Sequence, residues 1–387
     1  MFDLKKAQKM MEERNIDGLI ISSPENFYYV SGYAGMYFIG KTGMATAIIP
    51  KDEDPAIVIM DWEVEEAQRQ TWIKDIRVFE TWIYVEKEGK LSRGSKPEQF
   101  DPVQVIYETL IDKGINKGVL GVELASLPHM YFERLKNVVR EANFVDADDL
   151  LLEMRSIKSR EELNIIKEAV RITERGISSA LELAEEGVEE KDIANEFRKV
   201  AVTSNCWGFA HIVVAGGAYS ALPHFPIMSA STYKLRKGDF LRFDVGINFR
   251  GYLTDMARTY VIGPPSEKQK KLYNAILKAQ RNMVESIKPG VKISDLFKIG
   301  MKTMRQSGFV NYVRGHLGHS ISLGPFAEEP PFIKEAENRE LVAGMLFCVE
   351  VPYYIQGLGG INIEDMVAVT EDGHEELTTL SRELIQL

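Results

Sequence analysis

Asp239-Phe240-Leu241-Arg242-Phe243-Asp244-Val245-Gly246-Ile247-Asn248-Phe249-Arg250-Gly251-Tyr252-Leu253-Thr254-Asp255 reads as two strand-like runs on either side of a turn at about 248 to 251. A two-residue turn at Phe249-Arg250 sets Asp244 directly opposite Asp255 on one face of the hairpin. Like charges so placed repel, and the pair is tolerable only when solvated, when sharing a proton or when holding a cation. A second hairpin bears on that choice. Leu346-Phe347-Cys348-Val349-Glu350-Val351 and Ile361-Asn362-Ile363-Glu364-Asp365-Met366-Val367 flank the Gly-rich loop Gln356-Gly357-Leu358-Gly359-Gly360, and Glu350 and Glu364 fall on roughly facing positions. Glu350 interrupts an apolar run, where an unpaired carboxylate is costly to bury, so it calls for a cation partner. Between the hairpins, Gly315-His316-Leu317-Gly318-His319 carries imidazoles in a segment where the backbone can approach another group closely. Four carboxylates and one His on converging strands form an oxygen-rich site for two hard or borderline divalent ions, such as Mn²⁺, Co²⁺, Zn²⁺ or Fe²⁺.

Around this core the chain reads as an α/β protein in two parts. Residues 1–155 alternate helix and strand: a helix with apolar Leu4, Ala7, Met10 and Met11, then strand-like runs at Leu19-Ile20-Ile21, Thr46-Ala47-Ile48-Ile49, Ala56-Ile57-Val58-Ile59-Met60, Ile76-Arg77-Val78-Phe79 and Gly118-Val119-Leu120-Gly121-Val122. Lys87 to Pro97 is polar and Gly-containing enough to be a flexible loop, and nothing in this part is catalytic in character. A boundary falls near 150 to 159, so residues 156–387 form the second domain. Ser159-Arg160-Glu161-Glu162 is a capping box that starts a long helix, with Leu163, Ile166, Ala169, Val170, Thr173 and Ile177 on its apolar face and Gly187 placed to end it. Strands and Gly-rich turns follow from 208, with helices at about 267 to 287 and 294 to 307.

Composition narrows the partners. The 387 residues carry a formal net charge of −10, which argues against nucleic acid, since phosphate binding needs clustered Lys and Arg. The 45% hydrophobic and 27% charged content is that of a globular chain and excludes disorder, collagen and coiled coil. No apolar run approaches the roughly 18 residues of a membrane span, and the charged N-terminus is unlike a signal peptide, so a cytoplasmic protein without a membrane partner is expected. Cys206 and Cys348 are too few for a disulfide framework and are expected to be small buried thiols.

These motifs resemble the metallopeptidase M24 superfamily of the pita-bread fold, which includes Xaa-Pro dipeptidase, aminopeptidase P, methionine aminopeptidase and creatinase. The resemblance covers essentially the whole chain: Asn26-Phe27-Tyr28-Tyr29-Val30-Ser31-Gly32-Tyr33 in a creatinase-type N-terminal domain, then Ala221-Leu222-Pro223-His224, Asp244-Val245-Gly246, Gly251 to Thr259, Gly318-His319, Gly344-Met345 up to Glu350, and Ile363-Glu364-Asp365. It implies that Asp244 chelates one metal, that Asp255 and Glu364 bridge two, and that His319 and Glu350 complete the other. A water made acidic by two divalent ions would be the nucleophile, Glu350 its proton shuttle, and His224 a hydrogen-bonding group on the substrate side. The resemblance also implies a homodimer in which an N-terminal domain helps close the partner's site, with Thr81-Trp82-Ile83-Tyr84 as the segment suited to that.

The departures are specific. Family peptidases carry a second His in a His-Glu-x-Pro motif that holds the scissile carbonyl, whereas His319-Ser320-Ile321-Ser322-Leu323-Gly324-Pro325-Phe326-Ala327-Glu328-Glu329-Pro330 has none. A lost oxyanion donor costs about 10²- to 10³-fold in rate. Asn362 stands where an Arg normally precedes the last ligand, and Val351-Pro352 has one residue inserted before Pro. His211, in Phe209-Ala210-His211-Ile212-Val213, is a candidate to face the substrate and replace the missing His. His316 is expected to orient the loop, and His129 and His374 to lie at the surface. The leading expectation is a two-metal hydrolase cleaving the bond before proline in a dipeptide or short peptide. Two alternatives stand beside it: a metal-dependent hydrolase or lyase acting on an N-acyl, amidine or onium small molecule, with Phe326 remodelling the pocket, and a metal-binding relative without turnover.

Overall fold

Most of the short apolar runs bounded by polar turns become strands, and the amphipathic segments between them become helices packed on the sheets. The computed structural model describes residues 2–35, 45–81, 86–87, 90–91, 101–224 and 231–387. It divides into two compact units, Met1–Met154 and Arg155–Leu387.

In the first unit, β1 (Gly18–Ile21), β2 (Thr46–Pro50), β3 (Ala56–Met60), β4 (Asp75–Phe79), β5 (Val119–Val122) and β6 (Asn143–Asp146) form a mixed sheet in the order β4-β3-β2-β1-β5-β6. β1, β2 and β3 pair antiparallel, and the outer pairings are parallel. β1, β2 and β3 are buried along their whole length, which is why they read as continuous apolar runs. β6 is half-exposed with polar ends, and its sequence gives no strand signal. The helices Leu4–Glu13, Pro24–Ser31 and Pro102–Asp112 contribute Ala7, Met11, Phe27, Val30, Val103 and Ile106 to one core. Within the polar stretch after residue 85, Glu86–Lys87 pairs with Lys90–Leu91. Trp82, Ile83 and Tyr84, the segment proposed to reach a partner, lie outside the described residues.

The second unit is built on a nine-stranded sheet. β8 (Phe240–Phe249), β9 (Tyr252–Leu253), β10 (Met256–Val261), β11 (Gly318–Ser320), β12 (Glu329–Phe332), β13 (Leu346–Glu350) and β14 (Glu364–Val369) run in the order β9-β8-β10-β14-β13-β11-β12. β7 (Gly208–Gly216) adds to β8, and β15 (His374–Glu376) to β14. Two helix pairs cover one face. Arg160–Leu181 and Glu190–Thr203 pack against Leu241, Phe243, Val245 and Ile247 of β8, while Glu267–Glu285 and Ile293–Gln306 pack with Phe347 and Val349 of β13. Strand alternation then turns Arg242, Asp244, Cys348 and Glu350 to the other face. The Ser159–Glu162 capping box is present, but the helix stops at Leu181, and Gly187 at φ +91° serves the turn before the next helix instead.

The first hairpin departs from the sequence expectation. Its turn residues are Arg250 and Gly251, at φ +51° and +86°, with Phe249 paired to Tyr252. This type of tight turn needs left-handed backbone at both central positions, which Gly251 adopts readily and Phe249 would not. Asp244 is therefore opposite Ala257 rather than Asp255, which lies in the break between β9 and β10. A two-residue change in register keeps every side chain on its face, so Asp244 and Asp255 still converge.

Candidate metal centre

A single row of paired residues crosses four strands: Asp244 on β8, Ala257 on β10, Glu364 on β14 and Glu350 on β13. Partners in such a row share a face, so three carboxylates line up, with only the Ala257 methyl between Asp244 and Glu364. Asp255 enters from the β9–β10 break, and His319 from β11, paired to Cys348 beside Glu350. Both ligand-like clusters that result, His319 with Cys348 and Glu364, and His211 with Asp244 and Asp255, have donor atoms within 4.8 Å of one another.

The hydrogen-bond chemistry of this cluster fits a cation. His319 Nδ1 donates to the Ser320 carbonyl at 2.9 Å, which leaves Nε2 to face Asp255 Oδ2 at 3.7 Å and Glu364 Oε1 at 3.5 Å. A nitrogen held between two buried carboxylates calls for a positive charge there, a proton or a metal ion. Asp255 Oδ1 is buried without a hydrogen-bond donor. His211 Nε2 is 3.0 Å from Asp244 Oδ1 and 3.2 Å from Asp255 Oδ1, but its one N–H serves the Asp244 contact. Burial, reinforced by Asp255, Glu350 and Asp244, pushes the Glu364 carboxyl well above its ordinary pKa. Burial pushes Glu350 up to about 7, against the opposing pull of Arg314 and His319. Asp244 is held below the usual carboxylate range, in spite of its burial, by His211 and Arg242. Burial opposes the His211 imidazolium, yet Asp255 and Asp244 hold its pKa well above that of ordinary histidine.

A layer of cations and amides holds these groups. Arg242, fully buried, gives Nη1 to Asp244 Oδ2 at 2.7 Å and spends Nε and Nη2 on the carbonyls of Ser220, Leu222 and Pro223. It ties Asp244 to the segment that carries His224. Asn362, in the place of the expected Arg, donates Nδ2 to Glu350 Oε2 at 3.2 Å and Glu364 Oε2 at 3.4 Å. Guanidinium charge comes from elsewhere: Arg314 Nη2 lies 3.5 Å from Glu350 Oε1, and Arg314 and Arg242 both lie over the Tyr354 ring. Arg242, Arg314 and Tyr354 were not singled out from the sequence. Arg242 had a signal, a charge inside an apolar strand two residues before Asp244 and so on its face.

His211, Asp244, Asp255, Arg314, His319, Glu350, Tyr354 and Glu364 open on one cleft of about 670 Å³, lined also by His224, His316, Pro325, Phe326, Ala327, Glu328 and Phe332. His224 is exposed at its edge. His316 Nδ1 accepts from the Gly318 N–H at 3.4 Å, which fits a loop-orienting part, and burial holds its pKa below the ordinary value against the pull of Glu328. His211 lines the cleft, but its Nε2 is turned to the two aspartates rather than free for a substrate carbonyl. His129 is exposed, whereas His374 is half-buried and its Nδ1 donates to the Ile287 carbonyl. Cys348 is buried and Cys206 only partly so.

A cleft that gathers Asp244, Asp255, Glu350 and Glu364 with His211 and His319 on a sheet of this topology defines a metallohydrolase of the pita-bread class. Residues 164–371 match the model of metallopeptidase family M24, and residues 4–157 match the creatinase/prolidase N-terminal domain. The chain is 32% identical to an Xaa-Pro dipeptidase of Pyrococcus horikoshii over 99% of its own length and 98% of the relative's, and 31% identical to that of Pyrococcus furiosus over 99% of both. Among solved structures it is similar to the P. horikoshii prolidase (TM-score 0.82, 29% identity, 99% of both chains) and to an Xaa-Pro dipeptidase from Bacillus anthracis (TM-score 0.85, 27% identity, 99% of both chains). The chain belongs to metallopeptidase family M24. Its family implies divalent metal ions and a peptide substrate. No described helix is long and apolar enough to cross a membrane.

Proposed function

We propose that the protein is an Xaa-Pro dipeptidase with a two-metal centre, in which Asp244, Asp255, His319, Glu350 and Glu364 are the ligands. The observation that carries the reading is the set of buried carboxylates turned on one another, with His319 Nε2 facing Asp255 and Glu364 at 3.7 and 3.5 Å. Divalent ions bound there supply Lewis-acid polarisation of the scissile carbonyl and a water acidified enough to act near neutral pH. The chain's own groups do the rest. Glu350, on the cleft wall, takes up and returns a proton. His224, at the cleft edge, hydrogen-bonds the substrate or its leaving nitrogen. Arg314, a cation on the cleft wall, receives the free carboxylate of a dipeptide, and Phe326, Phe332 and Tyr354 line the apolar part that accepts proline. Ala327 and Phe326 occupy the stretch where the family's second His is missing, so the carbonyl is held with one donor fewer and turnover is correspondingly slow.

The same reading has the protein in the cytoplasm as a homodimer, with Mn²⁺, Co²⁺, Zn²⁺ or Fe²⁺ as the working ion. The test is kinetic. Protein stripped by chelator and reconstituted with Mn²⁺, Co²⁺ or Zn²⁺ is expected to release proline from Xaa-Pro dipeptides and to leave Xaa-Ala dipeptides largely uncut, and Asp255→Asn is expected to abolish release. Two equivalents of metal bound without Xaa-Pro cleavage by any of the three ions overturns the substrate assignment.

A further inference from the structure

On the Asp244 side of the centre the donor atoms extend beyond the carboxylates. His211 Nε2, Asp244 Oδ1 and Asp255 Oδ1 form a close triangle, with Nε2 at 3.0 and 3.2 Å from the two oxygens. Asp244 can offer an ion only Oδ1, because its Oδ2 is held by the buried Arg242. Asp255 Oδ1 is nine-tenths buried in its residue and has no hydrogen-bond donor. Bonds of about 2.1 Å to donors spaced as these are subtend about 90–100°, the angle between neighbouring ligands in a five- or six-coordinate site. The backbone is shaped for this contact. The register of β7 on β8 slips so that His211 pairs with Gly246 but Ile247 pairs with Phe209, leaving Ala210 as an extra residue, and a slip of this kind re-aims the neighbouring side chain.

We propose that His211 is a sixth metal ligand, closing the Asp244 side of the centre through Nε2. The inference rests on the reading of Asp244 and Asp255 as ligands and adds to it. Each half of the centre then carries one imidazole, His211 with Asp244 and His319 with Glu350, and Asp255 spans the two through its separate oxygens. Coordination through Nε2 releases to solvent the proton that otherwise lies between His211 and Asp244. An imidazole in place of an oxygen moves the preference of that half away from Mn²⁺ toward Co²⁺, Zn²⁺ and Fe²⁺.

The test is a titration of chelator-stripped protein with Co²⁺, followed by visible absorption and by the solvent-exchangeable, hyperfine-shifted imidazole N–H signals in proton NMR. Wild-type protein is expected to bind two equivalents and to show signals from two coordinated imidazoles. His211→Ala and His211→Gln, checked for native circular dichroism, are expected to show one, and to bind one of the two equivalents at least about 10- to 100-fold more weakly while the other is unchanged. Variants that keep both affinities and the wild-type spectrum overturn the proposal. So does a wild-type protein that takes one equivalent where the variants take two, since His211 would then be a counter-ion in the place of a metal. Protein that binds no Co²⁺ in any form removes the metal-centre reading itself, a separate failure.

Discussion

Asp244 shows how one side chain is fixed from two directions. Its Oδ2 is held by Arg242, and its Oδ1 faces His211. Arg242 has no solvent to fall back on, because its remaining N–H groups go to three carbonyls of the Ser220–Pro223 segment. Removing one partner of a buried pair leaves the other uncompensated, at a cost of about 3–5 kcal/mol. Arg242→Met is therefore expected to lower the midpoint of denaturant unfolding by that much in free energy and to weaken metal retention, with Arg242→Lys intermediate. A midpoint within about 0.5 kcal/mol of wild type, the usual range for surface changes, contradicts the role given to Arg242.

At the scale of the element, the site depends on register and on close backbone approach. A Cβ at Gly246 would stand 2.0 Å from the Thr254 carbonyl oxygen, so the strand that delivers Asp255 must move to admit even a methyl. Gly246→Ala is expected to destabilise the protein by about 1–3 kcal/mol and to lower its metal content, read by thermal unfolding and elemental analysis. Unchanged stability and metal content would show that the β9–β10 break does not set the position of Asp255. This element also shows what the sequence could and could not say. The hairpin reading placed Asp244 and Asp255 on one face, and they converge there because a period of two survives any even error of register. The register itself was missed, because choosing between Phe249-Arg250 and Arg250-Gly251 as turn residues depends on where the left-handed backbone falls. Glu350 and Glu364 were legible as a facing pair, and they are direct partners. The aim of His211 was not legible, since it follows from a one-residue slip between β7 and β8 that leaves no mark in composition. Arg314 and Tyr354 were equally hidden, one in a loop and one in a short strand, both brought to the cleft by the fold alone.

For the whole molecule, the acidic cluster makes stability depend on pH and metal together. Glu350 and Glu364 have folded-state pKa values above the ordinary carboxyl value, so each favours the fold while protonated. That contribution is complete below the ordinary carboxyl range and is lost as pH rises through about 7 for Glu350 and higher for Glu364. His211, also raised, loses its contribution at still higher pH than an ordinary histidine, and Asp244, lowered, loses its own only on acidification. Metal-free protein is accordingly expected to melt at lower temperature at about pH 8 than at about pH 5.5. Divalent ion at a hundred times its Kd adds about 2.7 kcal/mol, a rise in Tm of about 3 °C, and most of it at the higher pH where the ligands are deprotonated. A metal-free Tm that increases steadily from acid to neutral, unaffected by metal, contradicts the coupling. The central claim, that these carboxylates and His319 hold two ions, is tested most directly by anomalous diffraction from crystals grown with Co²⁺ and recorded at the cobalt edge. Two peaks are expected, both enclosed by Asp244, Asp255, His319, Glu350 and Glu364. No peak among these residues, or peaks only elsewhere on the molecule, contradicts it.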